Sequence, residues 1–388
     1  TILEKDIKKG RSLTQTRIED WWADDKKFWK NRFNPDKRRF VVVRDLNKML
    51  ESFKRGDFDM LRIRTPENWG PKLDIPEVKN GYIHRAQFYN QVPRPTYAMR
   101  INQTKPLLDN RDIRIGIHHA SNWDLILKEI FKGDYTRMRT TSDGYGEFTH
   151  PTLQARPFSV EEATASFANA GFDQRGPDGI LVNADGKKLS FTLTTGYKRL
   201  EDALSILVEE AKKAGLELKL EVLDSTAGWK KAQEKKHELM FTALNTAVEM
   251  YPRFFDFYHS YNAFDEMGKV KANTNNMTVT ANPELDKMIE AYEKSQDLEE
   301  IKRLSHQIQE QVHEAGAYVP GFVRPFFRCA YWNWVQWPEG FSTRLSREHD
   351  EYDVHWIDED LKTETMKARK ESRALPQAPV IYDQHKNS

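Results

Sequence analysis

The stretch between residues 189 and 222 limits the fold more than any other part of the chain. Leu200, Ala203, Leu204, Leu207, Val208 and Ala211 recur at helical spacing, and Gly215 stops them. Leu216, Leu218, Leu220 and Val222 then alternate, the period of a strand that buries one face. An apolar run at 189–193 precedes the helix, and Asp185-Gly186 supplies a hairpin turn between it and 180–182. Strand, helix and strand make a βαβ unit, and parallel strands belong in a sheet covered by helices. The fold class is therefore α/β.

The rest of the chain is read against that unit. Residues 38–43 predict a strand. Asp45 caps a helix carrying Leu46, Met49, Leu50 and Phe53 and stopped by Gly56, and 58–63 is the next strand. These three are expected to form a first βαβ unit. A Pro-rich stretch from 66 to 95 contains Phe88-Tyr89-Asn90, and the crossing into a second region is placed near 93–97. Helices are predicted near 110–121 and 123–132, the second capped by Asn122. Ser159 with Glu162 forms a capping box for another, ending at Gly171. The apolar run 239–244 is a strand. Pro283 follows the cap Asn282 at the first helical position, and Asp297 caps a longer helix bearing Ile301, Leu304, Ile308 and Val312. Residues 317–323 return as a strand, 358–374 are charged all round, and 376–388 are expected to be disordered.

Composition excludes several functions. With 60 Lys and Arg against 59 Asp and Glu, the net charge of +1 provides no global field for nucleic acid. No window approaches the roughly 20 apolar residues of a spanning helix. The single cysteine, Cys329, excludes an internal disulfide and any multi-cysteine metal site. Phosphate-loop, zinc-protease, nucleophile-elbow and dinucleotide signatures are absent. Adjacent residues on a helix point about 100° apart, so His118 and His119 read as packing or surface histidines rather than ligands of one ion. Asp143-Gly144-Tyr145-Gly146 lacks the lysine of a phosphate loop and reads as a flexible loop. No cofactor, metal or catalytic pair is expected, and the chain is read as a non-enzyme. Thr1–Asp6 does not read as a signal peptide, and the opening reads as the middle of a domain. A natural precursor longer at its N-terminus, with an export signal, is expected.

Four stretches together resemble the peptide/nickel class of ABC-importer solute-binding proteins, family 5. The first runs from Val43-Arg44-Asp45 to Phe53-Lys54-Arg55-Gly56-Asp57-Phe58-Asp59. The second covers 97–102, Lys105-Pro106 and Leu108-Asp109-Asn110-Arg111-Asp112-Ile113-Arg114. The third is Ile130-Phe131-Lys132-Gly133. The fourth joins Asn282-Pro283-Glu284-Leu285-Asp286 to the helix from Asp297 and the strand at 317–320. Glu67-Asn68-Trp69 and Gly133-Asp134-Tyr135-Thr136-Arg137 are similar to the subgroup that takes up peptide-nucleotide antibiotics. The resemblance implies a two-lobed periplasmic binding protein fold (type II, large cluster) with its first lobe partly missing. Its parts would be 1–96 (remainder of lobe 1 with the hinge approach), 97–318 (lobe 2), 319–357 (return to lobe 1) and 358–388 (charged C-terminal tail).

The implied function is capture of an oligopeptide or peptide-like solute between two lobes and its delivery to the membrane permease of an ABC importer, outside the cytoplasm. A missing N-terminal segment of the same protein is a further implied partner; nucleic acid is not one. An oligosaccharide or other solute, or an enzyme on a similar scaffold, are the alternatives. In this family an Asp before a Pro often anchors a peptide α-amine. Here the loop is 245–252, and Val248 or Glu249 stands in that place. Glu249 is thus either a ligand partner or a solvated carboxylate, with Asn245 and Tyr251 sharing its loop. Trp69, Tyr89 and Asn90 either meet ligand or pack at the lobe junction. Tyr145 either closes over ligand or lies on the surface, and Trp123 is either a ligand platform or core.

Overall fold

The computed structural model describes residues 1–92, 96–244, 250–338, 344 and 353–386. The first stretch holds strands β1 (Ile7–Lys8), β2 (Ser12–Thr16), β3 (Lys37–Val41), β4 (Met60–Arg62) and β5 (Ile83–Phe88), with helices α1 (Leu46–Arg55), α2 (Pro66–Trp69) and α3 (Pro76–Lys79). Next come β6 (Thr96–Ile101), α4 (Arg111–His119), α5 (Trp123–Glu129), β7 (Thr136–Arg137), α6 (Val160–Asn169), β8 (Gln174–Arg175), β9 (Leu181–Val182), β10 (Ser190–Thr195), α7 (Glu201–Lys213) and β11 (Glu217–Val222). They are followed by α8 (Ser225–Gln233), β12 (Leu239–Leu244), α9 (Phe255–Tyr258), α10 (Pro283–Lys294), α11 (Leu298–Ala315) and β13 (Tyr318–Val323). Last are β14 (Phe327–Trp332), β15 (Val335–Gln336), β16 (Trp356–Ile357), α12 (Glu359–Lys370) and β17 (Ile381–Tyr382). Two compact units result: Thr1–Val92 with Pro325–Ser388, and Pro93–Arg324.

The Pro93–Arg324 unit is built on one mixed sheet in the order β11-β10-β12-β6-β13-β7. β10 runs parallel to β11 in register from Ser190↔Glu217 to Thr195↔Val222, which is the βαβ unit predicted from the leucine pattern. On one face Leu204, Leu207 and Ala211 of α7 are buried against Phe191, Leu193 and Leu218. On the other, Ile301, Leu304 and Ile308 of α11 and Ile289 of α10 meet Ala98 and Tyr318. Helix α4 crosses α6 at Gly116, where a Cβ would stand 2.3 Å from the Phe167 ring, so only glycine permits the approach. The predicted caps form: the side chains of Asn122, Ser159, Asn282 and Asp297 each accept from a backbone N–H in the first turn of their helix.

The C-terminus of α11 shows how a helix end is satisfied inside a protein. Its last carbonyls have no partner within the helix. Arg156 Nη1 donates to His313 O (2.9 Å), Arg111 Nε to Glu314 O (2.8 Å) and Arg114 Nε to Ala315 O (2.8 Å). His118 Nε2 lies 3.0 Å from Gly316 O. A carbonyl only accepts, so this nitrogen carries the proton. Burial holds the His118 imidazole well below its usual pKa, so it stays neutral. The adjacent pair seen in the sequence divides accordingly: His118 caps α11, while His119 Nδ1 faces Pro157 O at 2.9 Å.

The other unit has a four-stranded sheet in the order β17-β5-β14-β4. Its core is aromatic. Trp332 and Trp334 stack at 4.6 Å, and their Nε1 atoms donate to Phe53 O (2.9 Å) and Asp59 Oδ1 (2.7 Å). Leu50 and Phe53 of α1 pack into that core, and Gly56 ends the helix at φ 92°.

Three expectations fail here. The strands flanking α1 do not share a sheet: β3 pairs antiparallel with β2 in a separate β1-β2-β3 sheet, and β4 pairs antiparallel with β14. Periodicity identifies a strand but not its partner, and β3, reading Lys-Arg-Arg-Phe-Val and almost wholly exposed, does not suit a buried parallel sheet. The return to the first unit comes later than 318/319, because β13 pairs with β6 from Tyr318↔Arg100 to Phe322↔Tyr97, across one bulge, and belongs to the second unit's sheet. Finally, 376–388 is not wholly irregular, since β17 adds to β5 in parallel, and the charged segment before it is the helix α12.

Candidate functional site

Strand β12 ends at Leu244, and the loop predicted to meet ligand follows it. Asn245 and Glu249 lie outside the described residues. Where the chain resumes it is fixed from two sides. The Tyr251 ring meets Phe148 edge-on at 4.9 Å, and Pro252 O accepts from the Tyr292 hydroxyl at 2.9 Å. Beside this point is a small cavity of about 20 Å³, room for about one water, whose lining includes Arg100, Thr141, Tyr145, Leu244 and Tyr258.

Arg100 is the unusual member. It stands on β6 opposite Met240, is buried, and donates through Nη1 to Thr242 O (2.7 Å) and Ala98 O (3.3 Å), with its guanidinium 5.4 Å from the Tyr318 ring. A guanidinium has five N–H donors, so its ordering by carbonyls leaves a fixed cation in the cavity wall. Across from it, the Tyr258 hydroxyl bonds to Thr141 Oγ1, and burial pushes its pKa up to about 12. It therefore remains protonated. Burial also raises Asp143, although its carboxylate accepts from Arg139 N at 2.6 Å. The cavity wall thus presents one cation and several hydroxyls near the carboxyl end of β12, enough to hold a single buried water by hydrogen bonds.

The predicted residues separate into groups. Tyr145 is buried and lines this cavity, its N–H donating to Thr149 Oγ1 at 3.0 Å, so it is part of a packed turn. Tyr251 touches Phe148 in the same region. Trp123 is 1% exposed and stacks on Phe241 at 5.4 Å within the core. Trp69, Tyr89 and Asn90 belong to the other unit. There the Arg328 guanidinium lies 4.7 Å from the Trp69 ring and 4.2 Å from Phe326. Arg328 Nε donates to Gln87 Oε1 (2.7 Å), and Gln87 Nε2 donates to the Tyr89 hydroxyl (2.8 Å), which connects Trp69 to Tyr89. Asn90 is buried and accepts from Val92 N at 3.1 Å. Arg100, Tyr258 and Arg328 were not singled out from sequence. The signal was present in a lone arginine within each apolar strand, Tyr-Ala-Met-Arg-Ile and Phe-Arg-Cys-Ala-Tyr. Among the described residues no group of three or more His, Cys, Asp or Glu side chains is placed to hold a metal ion.

The Pro93–Arg324 unit is thus a mixed α/β sheet with helices on both faces and a small polar cavity beside the end of a central strand. The chain belongs to the bacterial extracellular solute-binding proteins, family 5, whose middle-region model matches residues 4–265. The oligopeptide-binding protein AppA of Bacillus subtilis is 21% identical over 291 residues, covering 72% of this chain and 49% of AppA. A binding protein of Brucella suis is 19% identical over 366 residues, 86% of this chain and 58% of the relative. The chain thus spans less than two thirds of these relatives. AppA in complex with a nonapeptide superposes with a TM-score of 0.73 at 19% identity, over 91% of this chain and 65% of that one. NikA from Brucella suis in complex with Fe(III)-EDTA gives 0.66 at 18% identity, over 92% and 67%. The family and these neighbours are binding proteins. Among the described residues no helix is long and apolar enough to cross a membrane.

Proposed function

We propose that the chain is the solute-capturing part of an ABC importer, acting outside the cytoplasm on an oligopeptide or peptide-like solute and handing it to a membrane permease. Membership of family 5 over residues 4–265 carries this reading. Glu249 is the proposed partner of a cationic group on the ligand, with Asn245 and Tyr251 as polar and ring contacts. A charge-assisted hydrogen bond is worth about 1.5–3 kcal/mol, so Glu249→Gln weakens free-amine peptides by roughly one to two powers of ten. Calorimetry with free and acetylated peptides measures this, and equal affinities for wild type and variant remove Glu249 from the site. Mass spectrometry of solute that copurifies with the protein tests the class itself. A peptide is expected, and an oligosaccharide in its place overturns the peptide reading. The sugar alternative has one specific motive: the oligopeptide-binding protein of Thermotoga maritima, a fold neighbour with a TM-score of 0.68, is described with mannohexaose bound.

A further inference from the structure

Residues 138–158 join β7 to α6 through the short turn Gly146–Phe148 and lie along α11, to which side chains strap them. Gln309 is buried and serves both directions, donating through Nε2 to Phe148 O (2.7 Å) and accepting through Oε1 from His150 N (3.1 Å). His306 Nε2 donates to Glu147 O at 2.8 Å, and Arg156 reaches His313 O. The strap carries Thr141 and Tyr145 of the cavity wall, and its Phe148 meets the Tyr251 ring. What fixes the strap therefore bears on the wall beside the candidate site. His150 is bonded at both ring nitrogens, and those bonds assign its proton. Nδ1 accepts from Leu153 N (2.9 Å) and Thr152 N (3.3 Å), so it carries no hydrogen, while Nε2 donates to Glu310 Oε1 (2.9 Å). A second proton can enter only at Nδ1, where it faces two N–H groups. The bond from Nε2 to the Glu310 carboxylate survives and strengthens. Acid thus leaves the ring anchored to α11 and expels the backbone of residues 152 and 153.

We infer that His150 is an acid-sensitive latch: its neutral ring closes the 150–153 turn and holds the strap against α11, and its protonation opens the turn and loosens the cavity wall that the strap carries. Imidazole is the side chain that ordinarily changes charge between pH 5 and 8. The charges around the ring are mixed. From α11, Glu310 favours an imidazolium, whereas the His306 ring stands 5.3 Å away and opposes one when it is itself charged. His313 is held at about 4 by burial and so remains neutral at pH 5. From the strap, Arg139 donates to Pro151 O (3.3 Å), Arg156 pairs with Glu314 (3.5 Å), and Glu147 pairs with Lys302 of α11 (3.3 Å). From α4, Arg111 pairs with Glu314 (2.6 Å). The cations other than the histidines keep their charge across this range, so the proton on His150 is the switching event. The latch acts whatever solute the protein binds, and its failure leaves the peptide reading untouched.

The test is hydrogen exchange with mass spectrometry on the 388-residue protein in steps from pH 7.5 to pH 5.0, corrected for intrinsic exchange and read over 150–156 and 250–258. In wild type, exchange at 150–156 is expected to rise roughly tenfold at the lower pH, as for the loss of one or two hydrogen bonds, with a smaller rise at 250–258. His150→Asn removes the proton site, while its Oδ1 still accepts from the N–H groups two and three residues on, as in an Asx turn. Its corrected exchange at 150–156 is expected to be the same at both ends of the range. Glu310→Gln keeps an acceptor for Nε2–H but removes the charge that favours an imidazolium, so the midpoint of the rise is expected to move to lower pH. A turn that merely frays in acid would show no such movement. Exchange at 150–156 that is unchanged by acid in wild type, or that rises equally in His150→Asn, overturns the latch, as does a midpoint that Glu310→Gln leaves in place. A rise at 150–156 with none at 250–258 overturns its connection to the cavity wall.

Discussion

Strands β10–β11 and strands β2–β3 are paired with equal regularity, and they differ in what covers them. Over β10 and β11 lie Leu204, Leu207 and Ala211 of α7, all fully buried. Over β2 and β3 no such helix lies among the described residues, and Phe40 and Val41 stay 49% and 41% exposed. A hydrogen-bonded ladder alone contributes little net stability, because the unfolded chain bonds equally to water. Burial of apolar area decides the balance, at roughly 25 cal/mol per Å². The comparison therefore separates strand formation, which local sequence encodes, from strand stability, which depends on a covering element.

Replacing a covered tryptophan and an uncovered one is the strongest way to break this comparison. Trp332→Ala removes a fully buried ring stacked on Trp334 and one of the two donors to Phe53 O, the other being Gly56 N, so it is expected to cost about 3–5 kcal/mol. Trp22→Ala, at 73% exposure, is expected to stay within about 0.5 kcal/mol. Hydrogen exchange with mass spectrometry, read separately over 46–92 and 189–222, assigns each loss. A Trp22→Ala cost comparable to that of Trp332→Ala would mean that residues 1–42 are covered in solution.

Acid should separate the two units next. In the Pro93–Arg324 unit, burial holds His118 well below its usual pKa, His237 at about 3 and His313 at about 4. In the other unit, burial likewise lowers His84. A histidine with a depressed folded pKa binds more protons unfolded than folded. Its contribution is complete above the unfolded value near 6.5 and is lost as pH falls toward the folded value. His237, which is fully buried with Nε2 3.0 Å from Met277 O, accounts by itself for on the order of 3 kcal/mol between pH 7 and 4. Urea midpoints at pH 7 and pH 4.5, followed by exchange in each unit, are expected to fall further in the Pro93–Arg324 unit. Parallel loss in both would mean that carboxylates, not these histidines, set the acid limit.

What the sequence made legible follows the same division. The βαβ unit at 189–222, the caps at Asn122, Ser159, Asn282 and Asp297, and the family motifs all depend on spacing within about forty residues of neighbouring chain, which local chemistry encodes. Partner choice does not. β3 and β4 read alike as strands but enter different sheets, because the partner of each lies elsewhere in the chain. The same holds for the site. A loop after β12 follows from strand polarity, whereas Arg100 and Tyr258 meet only through a fold that brings β6 beside β12 and places Thr141 against α9. Trp123 shows the converse, since an aromatic at a helix start gives no sign of whether its ring faces solvent or the Phe241 side chain.

The smallest effects come from the helix ends, where the two units differ again. In α11 four side chains satisfy four successive carbonyls, and Arg114 also donates through Nη1 to Leu108 O (2.9 Å) and Asp109 O (2.8 Å). Arg114→Ala thus leaves three carbonyls without this donor at a buried position, and hydrogen bonds to a charged group are worth about 1.5–3 kcal/mol. Near the end of α12 a single hydroxyl performs the corresponding task, Tyr82 Oη lying 3.1 Å from Ala368 O and 2.9 Å from Arg373 O. A hydroxyl has one proton, so it satisfies one of these acceptors at a time. Tyr82→Phe keeps the buried ring and removes one neutral bond, for an expected loss of about 0.5–1.5 kcal/mol. Paired urea titrations of the two variants at low and at 1 M salt distinguish the mechanisms. Both losses should persist in salt, because a carbonyl acceptor in a buried site is little screened, unlike the exposed Arg111–Glu314 pair. A Tyr82→Phe loss equal to that of Arg114→Ala would show that neither the number of bonds donated nor the charge of the donor sets the effect at these two helix ends.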